Sequence, residues 1–561
     1  MEKLIACVPN FSEGRDQTVI EAITSAIDTV DGVKLLDVDP GRATNRTVVT
    51  FAGPPEAVTE AAVRAGATAS ELIDMRKHSG EHPRFGALDV CPIVPLSGVT
   101  MDEATGYACD VARRLGEDLG LTVYCYGHAA LLSERADLAT VRAGEYEGLA
   151  ARLSSPEWRP DFGPATFNAR SGATAVGARG FLVALNVNLN TTSTRRANAI
   201  AFDVRERGRP KRVGDPLTGE VELDEHGQPV WIPGALEHVK AIGWYIEEYG
   251  IAQVSMNLTD IEATPIHAAF DEVCRRAEAR GVRVTGSELV GLVPLDTILA
   301  AGRHYLRRQQ RSTGVSDVEL VKIAVRSLGL DELSPFDPRT KIIEYAMDDR
   351  TDRLVDRSVR RFIEETASES PAPGGGSVSA ALGALGAALA AMVANLSSHK
   401  RGWDDRWEEF SDWADTAKTC QDELVGLIDA DTDAFDAVMW ALAMPKGSEQ
   451  ERTSRDEAIQ AATRRATEVP FRVMEVALAS MEVIRAMAET GNPASVSDAG
   501  VAALCARSAV VGAYLNVRIN AASLSDSVAA SSELERGLEL QDQAIVREAD
   551  ILEVVDRRLA R

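Results

Sequence analysis

Val378-Ser-Ala-Ala-Leu-Gly-Ala-Leu-Gly-Ala-Ala-Leu-Ala-Ala-Met-Val-Ala-Asn-Leu-Ser-Ser398 carries no charge from end to end. A bilayer span needs roughly 20 strongly apolar residues. This run is mostly alanine and glycine, with few large aliphatics. The composition predicts a buried helix whose small residues let neighbours approach closely, and no membrane partner. Beyond Leu354 the chain keeps a helical period with hardly a strand signal, so helices are expected near 354–368, 377–397, 405–441, 451–489, 496–524 and 532–560.

Upstream the period changes. Short apolar strands at 3–8, 33–38, 47–51, 88–94 and 121–126 alternate with amphipathic helices at 16–29, 54–74 and 102–119. The core order is strand, helix, strand, strand, helix, strand, the split arrangement of a ferredoxin-like sandwich. The order recurs with strands at 181–187, 239–245, 252–257 and 282–285 and helices at 193–205 and 265–279. Residues 214–234 are polar, carry turn signals and read as a surface hairpin inserted in the second unit. The fold class expected is multidomain. Two tandem ferredoxin-like α/β sandwich subdomains (1–178 and 179–330) precede a linker (331–353) marked by Pro335, Pro338 and a charged run. An all-α domain (354–561) follows.

Length and charge agree with such a chain. Its 561 residues exceed one ordinary core. The 85 acidic and 60 basic residues leave a net charge of -25. That surface repels phosphate backbones, and nucleic acid is not an expected partner. Seven scattered cysteines without a CxxC pair suit a reducing compartment and no zinc site of the usual kind. The opening residues show no signal peptide, so a cytoplasmic location is expected.

Three loops place polar groups at strand ends, where catalytic groups are commonly mounted. They are Val8-Pro-Asn-Phe-Ser-Glu-Gly-Arg15, Asp37-Val-Asp-Pro-Gly-Arg42 and His78-Ser-Gly-Glu-His-Pro-Arg-Phe-Gly-Ala-Leu-Asp89. His78 and His82 stand at the spacing of metal ligands on a helix, but Gly80 and Pro83 argue against a helix there. His82 is either a loop residue bonded to backbone or a general base that moves a proton between amines near neutral pH. Asp39, taken alone, is a turn former. The run Asp161-Phe-Gly-Pro-Ala-Thr-Phe-Asn-Ala-Arg-Ser-Gly-Ala-Thr174 is read as joining the two subdomains. It suits a flat heteroaromatic ligand with an anionic tail, or is an ordinary linker.

In the helical half, Pro371-Ala-Pro-Gly-Gly-Gly-Ser377 precedes a helix. Free backbone N–H groups at Gly374, Gly375 and Gly376 make an anion site there, or the run is a turn with Ser377 as cap. It lacks the Lys-Ser/Thr of a phosphate loop. Ile428-Asp-Ala-Asp-Thr-Asp-Ala-Phe435 lacks the glycine and distal glutamate of a calcium loop. Asp429 and Asp433 share a helix face and Asp431 points elsewhere. Apolar neighbours imply that at least one of the three is buried and perturbed.

Val8 to Asp16, Leu36 to Arg46, His78 to Pro95 and Asp161 to Arg179, with Gly243-Trp-Tyr, Gln253-Val-Ser-Met-Asn257 and Ser287-Glu-Leu-Val-Gly-Leu-Val-Pro294, resemble glutamate formimidoyltransferases over about residues 1–330. The stretches Ala372 to Ala380, Asp429 to Phe435, Met444-Pro-Lys446, Gly491-Asn492, Ser497-Asp498 and Gly512-Ala-Tyr-Leu-Asn-Val-Arg-Ile-Asn520 resemble formimidoyltetrahydrofolate cyclodeaminases. That second family includes methenyltetrahydrofolate cyclohydrolases. The order is that of the bifunctional fusion.

The resemblance implies that N5 of tetrahydrofolate, a co-substrate, attacks the amidine carbon of N-formimino-L-glutamate. His82 is then the acid/base, and Asp39 orients the histidine or the amidine. Folate is held by Gly163, Pro164, Ala165, Thr166, Phe167, Asn168, Ala169, Arg170, Ser171 and Gly172. In the second step N10 attacks the formimino carbon, ammonia leaves with Asp431 shuttling protons, and 5,10-methenyltetrahydrofolate forms. Lys400 and Arg401 are then available for a folate glutamate tail. No metal is called for, and a homodimer or higher homo-oligomer is implied.

Two features depart from the families. One is the 214–234 insertion. The other is Ser398-His-Lys-Arg401, where relatives carry a glycine before the basic pair. Glutamate formyltransferase with cyclohydrolase, and a folate-binding scaffold without turnover, are the other readings the sequence permits.

Overall fold

A computed structural model describes residues 3–42, 44–80, 84–214, 219–348, 353–370 and 372–560. The chain forms two compact units. One comprises Met1–Ala301 with Val325–Asp349, the other Gly302–Ala324 with Arg350–Arg561.

The first unit is built on two sheets. In the larger, β1 (Leu4–Cys7), β2 (Asn10–Phe11), β3 (Lys34–Gly41), β4 (Arg46–Gly53), β5 (Leu88–Ser97), β6 (Thr122–Gly127) and β7 (Ala173–Ala178) form seven strands. β1 and β2 share one lane between β4 and β5, β3 lies outside β4, and β7 and β6 extend the sheet beyond β5. Pairing is antiparallel from β3 to β5 and parallel where β7 meets β5 and β6. Helices α1 (Gln17–Asp28), α2 (Pro55–Leu72) and α3 (Met101–Glu117) cover the larger sheet through Ile23, Ile27, Val58, Ala62, Val111 and Leu115. Each arises from the apolar spacing in the sequence, and α3 starts on a reciprocal Thr100/Glu103 cap.

The smaller sheet runs β9-β10-β8-β11, all antiparallel. Its strands are β8 (Val183–Leu189), β9 (Val239–Ile246), β10 (Ile251–Leu258) and β11 (Val284–Val290). Helices α4 (Thr194–Val204) and α5 (Ile266–Glu278) cross over between its strands. The insertion pairs with the chain just before it in two short ribbons, Arg212–Val213 with Glu220–Val221 and Arg209–Pro210 with Trp231–Ile232; residues 215–218 lie outside the described set.

One sequence expectation fails here. Residues 161–174 do not join the subdomains: they run into β7, which lies between β5 and β6 inside the first sheet. The periodicity missed β7 because Ala-Thr-Ala-Val-Gly-Ala has no large side chain to alternate. Its residues are nevertheless all buried. Within the stretch read as a linker, Pro338–Lys341 and Ile343–Met347 are helical, and Ile342 bridges to Val293 in the first unit.

The second unit is a bundle of α6 (Gly375–Ser398), α7 (Trp407–Ala443), α8 (Glu449–Thr490), α9 (Val496–Ala521) and α10 (Ser527–Leu559). α6 packs on α7, α8 and α9. Its alanines and glycines are mostly buried, against Leu424, Met474, Ile484 and Val510 among others. α6 and the segment Pro493–Ala521 are each long and apolar enough to cross a membrane, yet at least half of each apolar stretch is buried within the unit.

Candidate active sites

Asn45, a few residues beyond the second of the loops singled out in the sequence, ties the first to the third. Its Oδ1 accepts from Gly14 N (3.0 Å), and its Nδ2 donates to Ser79 O (3.0 Å). Its carbonyl meets His78 Nε2 at 2.7 Å. The residue adopts a left-handed φ of 51°, a conformation asparagine tolerates better than most residues. Sequence reasoning passed over Asn45, because its role lies in contacts to distant loops. His78 is half-buried, and burial pushes its imidazole below the ordinary value. His82 lies outside the described residues.

Beside these loops is a cavity of about 420 Å³ within the first unit. Asp37, Asp39, Asn10, Arg46, Tyr126 and Arg179 line it, with Leu182, Asn257 and Gly291 from the second sheet's side. Burial raises the Asp37 carboxyl, which Lys341 partly offsets. Arg46 is held by Asn10 Oδ1 and by Asp89, whose carboxylate is 3.2 Å from one guanidinium nitrogen. Burial pushes the Arg46 guanidinium down to about 10. Asp89 also takes Arg142 (2.8 Å) and the Phe85 N–H (2.8 Å). Burial pushes the Tyr126 phenol up to about 12. Asp39 thus stands in the cavity wall, among groups the sequence did not single out.

The segment Gly163 to Gly172 does not line this cavity. It is pinned at both ends by glycines at φ 78° and 68°; at Gly163 a Cβ would strike the Leu121 carbonyl. Asn168 Oδ1 accepts from the Arg170 and Ser171 N–H groups, Arg170 bonds Glu71 O, and Tyr146 OH donates to Ala169 O at 2.5 Å. Phe167 remains exposed and packs on Tyr146, ring centroids 5.6 Å apart. This leaves one open aromatic face beside a fixed backbone turn.

In the helical unit three elements converge. The first turn of α6 brings Gly375, Gly376 and Ser377, the middle of α7 brings Asp431 and Thr432, and α9 brings Asn516. Ser377 Oγ, fully buried, donates to Asp431 Oδ2 at 3.0 Å and lies 3.3 Å from Thr432 Oγ1. Burial raises the Asp431 carboxyl above the usual carboxylate range, with Ser377 pulling the other way. Asp429, two residues earlier and on another face of the helix, instead accepts from Leu354 N at 2.7 Å, and Asp433 is exposed. Asn516 lies across from Gly375.

Gly376 has the tightest fit, since a Cβ there would land on the Asp431 carboxylate. Gly376→Ala is therefore expected to leave the bundle folded, because a side-chain tip can yield. It should displace the carboxylate and lower any turnover at this site at least tenfold. Thermal unfolding alongside a turnover assay checks both halves of that statement.

Lys400 and Arg401 sit at the other end of α6, about 36 Å away at the rise of an α-helix. Lys400 lies over the Trp403 ring (4.1 Å), which stacks on Phe410. Within one chain the basic pair and the Gly374–Gly376 turn do not meet. Among the described residues no cluster of three or more histidine, cysteine, aspartate or glutamate side chains is placed to hold a metal ion.

Models of known families match almost the whole chain. Residues 4–179 match the formiminotransferase domain, N-terminal subdomain. Residues 184–348 match the formiminotransferase domain, and 358–537 match formiminotransferase-cyclodeaminase. The chain is 43% identical over 560 residues to formimidoyltransferase-cyclodeaminase of Rattus norvegicus, covering 100% of both chains. The chain belongs to the formimidoyltransferase-cyclodeaminase family.

Separate relatives match each half. Glutamate formimidoyltransferase of Streptococcus pyogenes is 38% identical over 307 residues, 55% of this chain and 94% of that one. Methenyltetrahydrofolate cyclohydrolase of Methylorubrum extorquens is 36% identical over 178 residues, 32% of this chain and 86% of that one. In this family member the Asp39 cavity and the Asp431 cluster lie in separate compact units.

Proposed function

We infer that this chain is a bifunctional enzyme. It transfers the formimino group of N-formimino-L-glutamate to N5 of tetrahydrofolate, then cyclises 5-formiminotetrahydrofolate to 5,10-methenyltetrahydrofolate with release of ammonia. The observation that carries the reading is full-length identity to a two-activity relative, with a polar site in each unit. Supplying N-formimino-L-glutamate and tetrahydrofolate together should release ammonia and raise methenyl-folate absorbance in equal amounts. Turnover of N-formyl-glutamate without ammonia would sink it.

In the transfer step we assign His82 as the base that takes the N5 proton and returns it to the departing glutamate nitrogen. Asp39, in the cavity wall, orients the amidine. The residues Gly163 to Gly172 hold folate, supported by the fixed turn and the exposed Phe167 face. In the cyclisation Asp431 takes the N10 proton and delivers it to the leaving nitrogen. A carboxyl with a raised pKa suits that exchange, since it gives up and regains a proton nearer neutrality. Gly374, Gly375 and Gly376 offer backbone N–H groups at the α6 N-terminus, and Lys400 and Arg401 take a glutamate tail.

Both sheets are read as ferredoxin-like, supported by the recurring strand order in which the first strand lies between the third and fourth. The sandwich subdomains are assigned to 1–178 and 179–330, and the helical domain to 354–561. A homo-oligomer is proposed, supported by the large apolar side chains that α6 leaves exposed (Leu385, Met392 and Leu396) and those of its neighbour α9 (Val501, Leu504 and Leu515). The location proposed is cytoplasmic, supported by free, largely buried cysteines such as Cys7 and Cys91.

A further inference from the structure

Arg179 stands in the wall of the first unit's cavity. It is only partly exposed, and among the described residues no carboxylate lies within ion-pair distance of it. The other arginine of the wall, Arg46, is paired with Asp89, which it shares with Arg142. Arg179 Nη1 donates to Gly180 O at 3.0 Å, and the buried Tyr126 phenol lies near enough to feel its charge. Its backbone N–H donates to Ile93 O, which fixes the residue just beyond the end of β7. The guanidinium is therefore held in place by neutral groups, and its charge is left for something else. A charge turned toward a partly dry cavity is costly unless an anion meets it. A guanidinium fork matches a carboxylate in two parallel hydrogen bonds.

The same wall carries Asp37 and Asp39 without a cation in ion-pair contact among the described residues. The cavity thus offers both cationic and anionic groups in about 420 Å³. A ligand that suits it carries a carboxylate at one end and a protonated nitrogen centre at the other. The chain's net charge of -25 makes a local cation the more necessary for capturing an anionic substrate.

We propose that Arg179 is a specificity-determining residue, the anchor for a carboxylate of the amidine-bearing amino-acid donor, with Asp37 and Asp39 facing the amidinium. This rests on the transferase reading above. The carboxylates of a folate tail share the chemistry, so the test separates the two sources.

The full-length enzyme would be assayed as wild type, Arg179→Met and Arg179→Lys, with KM measured for each substrate. The donor would be N-formimino-L-glutamate or its α- or γ-amide. Arg179→Met is expected to raise the donor KM roughly tenfold to a hundredfold, the scale of one charge-assisted pair. The KM for tetrahydrofolate should stay within twofold, and Arg179→Lys should recover part of the loss. The variant should also stop discriminating between the diacid and one of the two amides, because the contact they report is gone. A merely structural role would weaken all three donors alike.

An unchanged donor KM, intact discrimination against both amides, or an increase confined to the folate KM would overturn the proposal. Thermal unfolding of Arg179→Met verifies folding, and Arg179→Lys keeps the test informative if methionine destabilises the unit. Absence of wild-type transfer from N-formimino-L-glutamate would instead refute the transferase reading itself.

Discussion

Asp431→Asn is expected to slow cyclodeamination by roughly 10²- to 10⁴-fold, the usual worth of a positioned proton shuttle. Formimidoyl transfer should be untouched, so 5-formiminotetrahydrofolate should accumulate and ammonia should not appear. The asparagine retains an oxygen to accept from Ser377, so the packing against Gly376 survives and the loss is one of proton transfer.

Two pH effects accompany it. Burial holds the Asp431 carboxyl above its ordinary value, so the acid limb of wild-type cyclodeamination should lie above the usual carboxylate range. For stability the sign is the reverse of that for a salt-bridged aspartate. A raised folded pKa stabilises the protein below the unfolded value, about 3.9, and that contribution is lost as pH rises through the folded value. Asp431→Asn should therefore unfold at a higher temperature than wild type at neutral pH, with the gap closing in acid. Wild-type cyclodeamination in Asp431→Asn would dismiss Asp431 from the chemistry. A gap that persists in acid would dismiss the buried charge as its cause.

The helices were legible in the sequence because burial of one face writes a period into it. The expected helices at 405–441 and 451–489 differ from Trp407–Ala443 and Glu449–Thr490 by two residues or fewer at each end. β7 was not legible. It is buried on both faces among other strands and built of small residues, so nothing alternates. Misreading it as irregular chain made 161–174 look like a joint between subdomains.

Site residues divide in the same way. Apolar neighbours marked the run Asp429 to Asp433 as holding a buried carboxylate, which is a local signal, and the family resemblance picked Asp431 out of it. Its partner Ser377, 54 positions away, was read only as a helix cap, although its hydroxyl donates to the carboxylate. Asn45, Asp89 and Arg179 act through partners tens of residues distant, and no spacing rule reaches that far.

Asp89→Ala should have the largest effect on stability. Asp89 is 1% exposed and receives three donors, the Phe85 N–H and the guanidiniums of Arg46 and Arg142. Truncation leaves two partly buried cations facing one another and an amide without an acceptor. Breaking a buried pair by removing one partner costs about 3–5 kcal/mol. A surface pair offers the contrast: Arg113 and Asp110 approach to 2.6 Å with both side chains over 40% exposed, and Asp110→Ala should cost no more than about 1 kcal/mol.

Denaturant unfolding of the full chain, followed by a signal from the first unit, would compare the two. A loss for Asp89→Ala no larger than for Asp110→Ala would refute the claim that Asp89 anchors the unit. The functional consequence follows from Arg46, which Asp89 and Asn10 together hold at the cavity wall. With Asp89 gone, Arg46 loses its anionic anchor at the cavity wall and keeps Asn10. Transfer should fall even under conditions where the variant stays folded. Cyclodeamination of added 5-formiminotetrahydrofolate, carried out in the other compact unit, should persist.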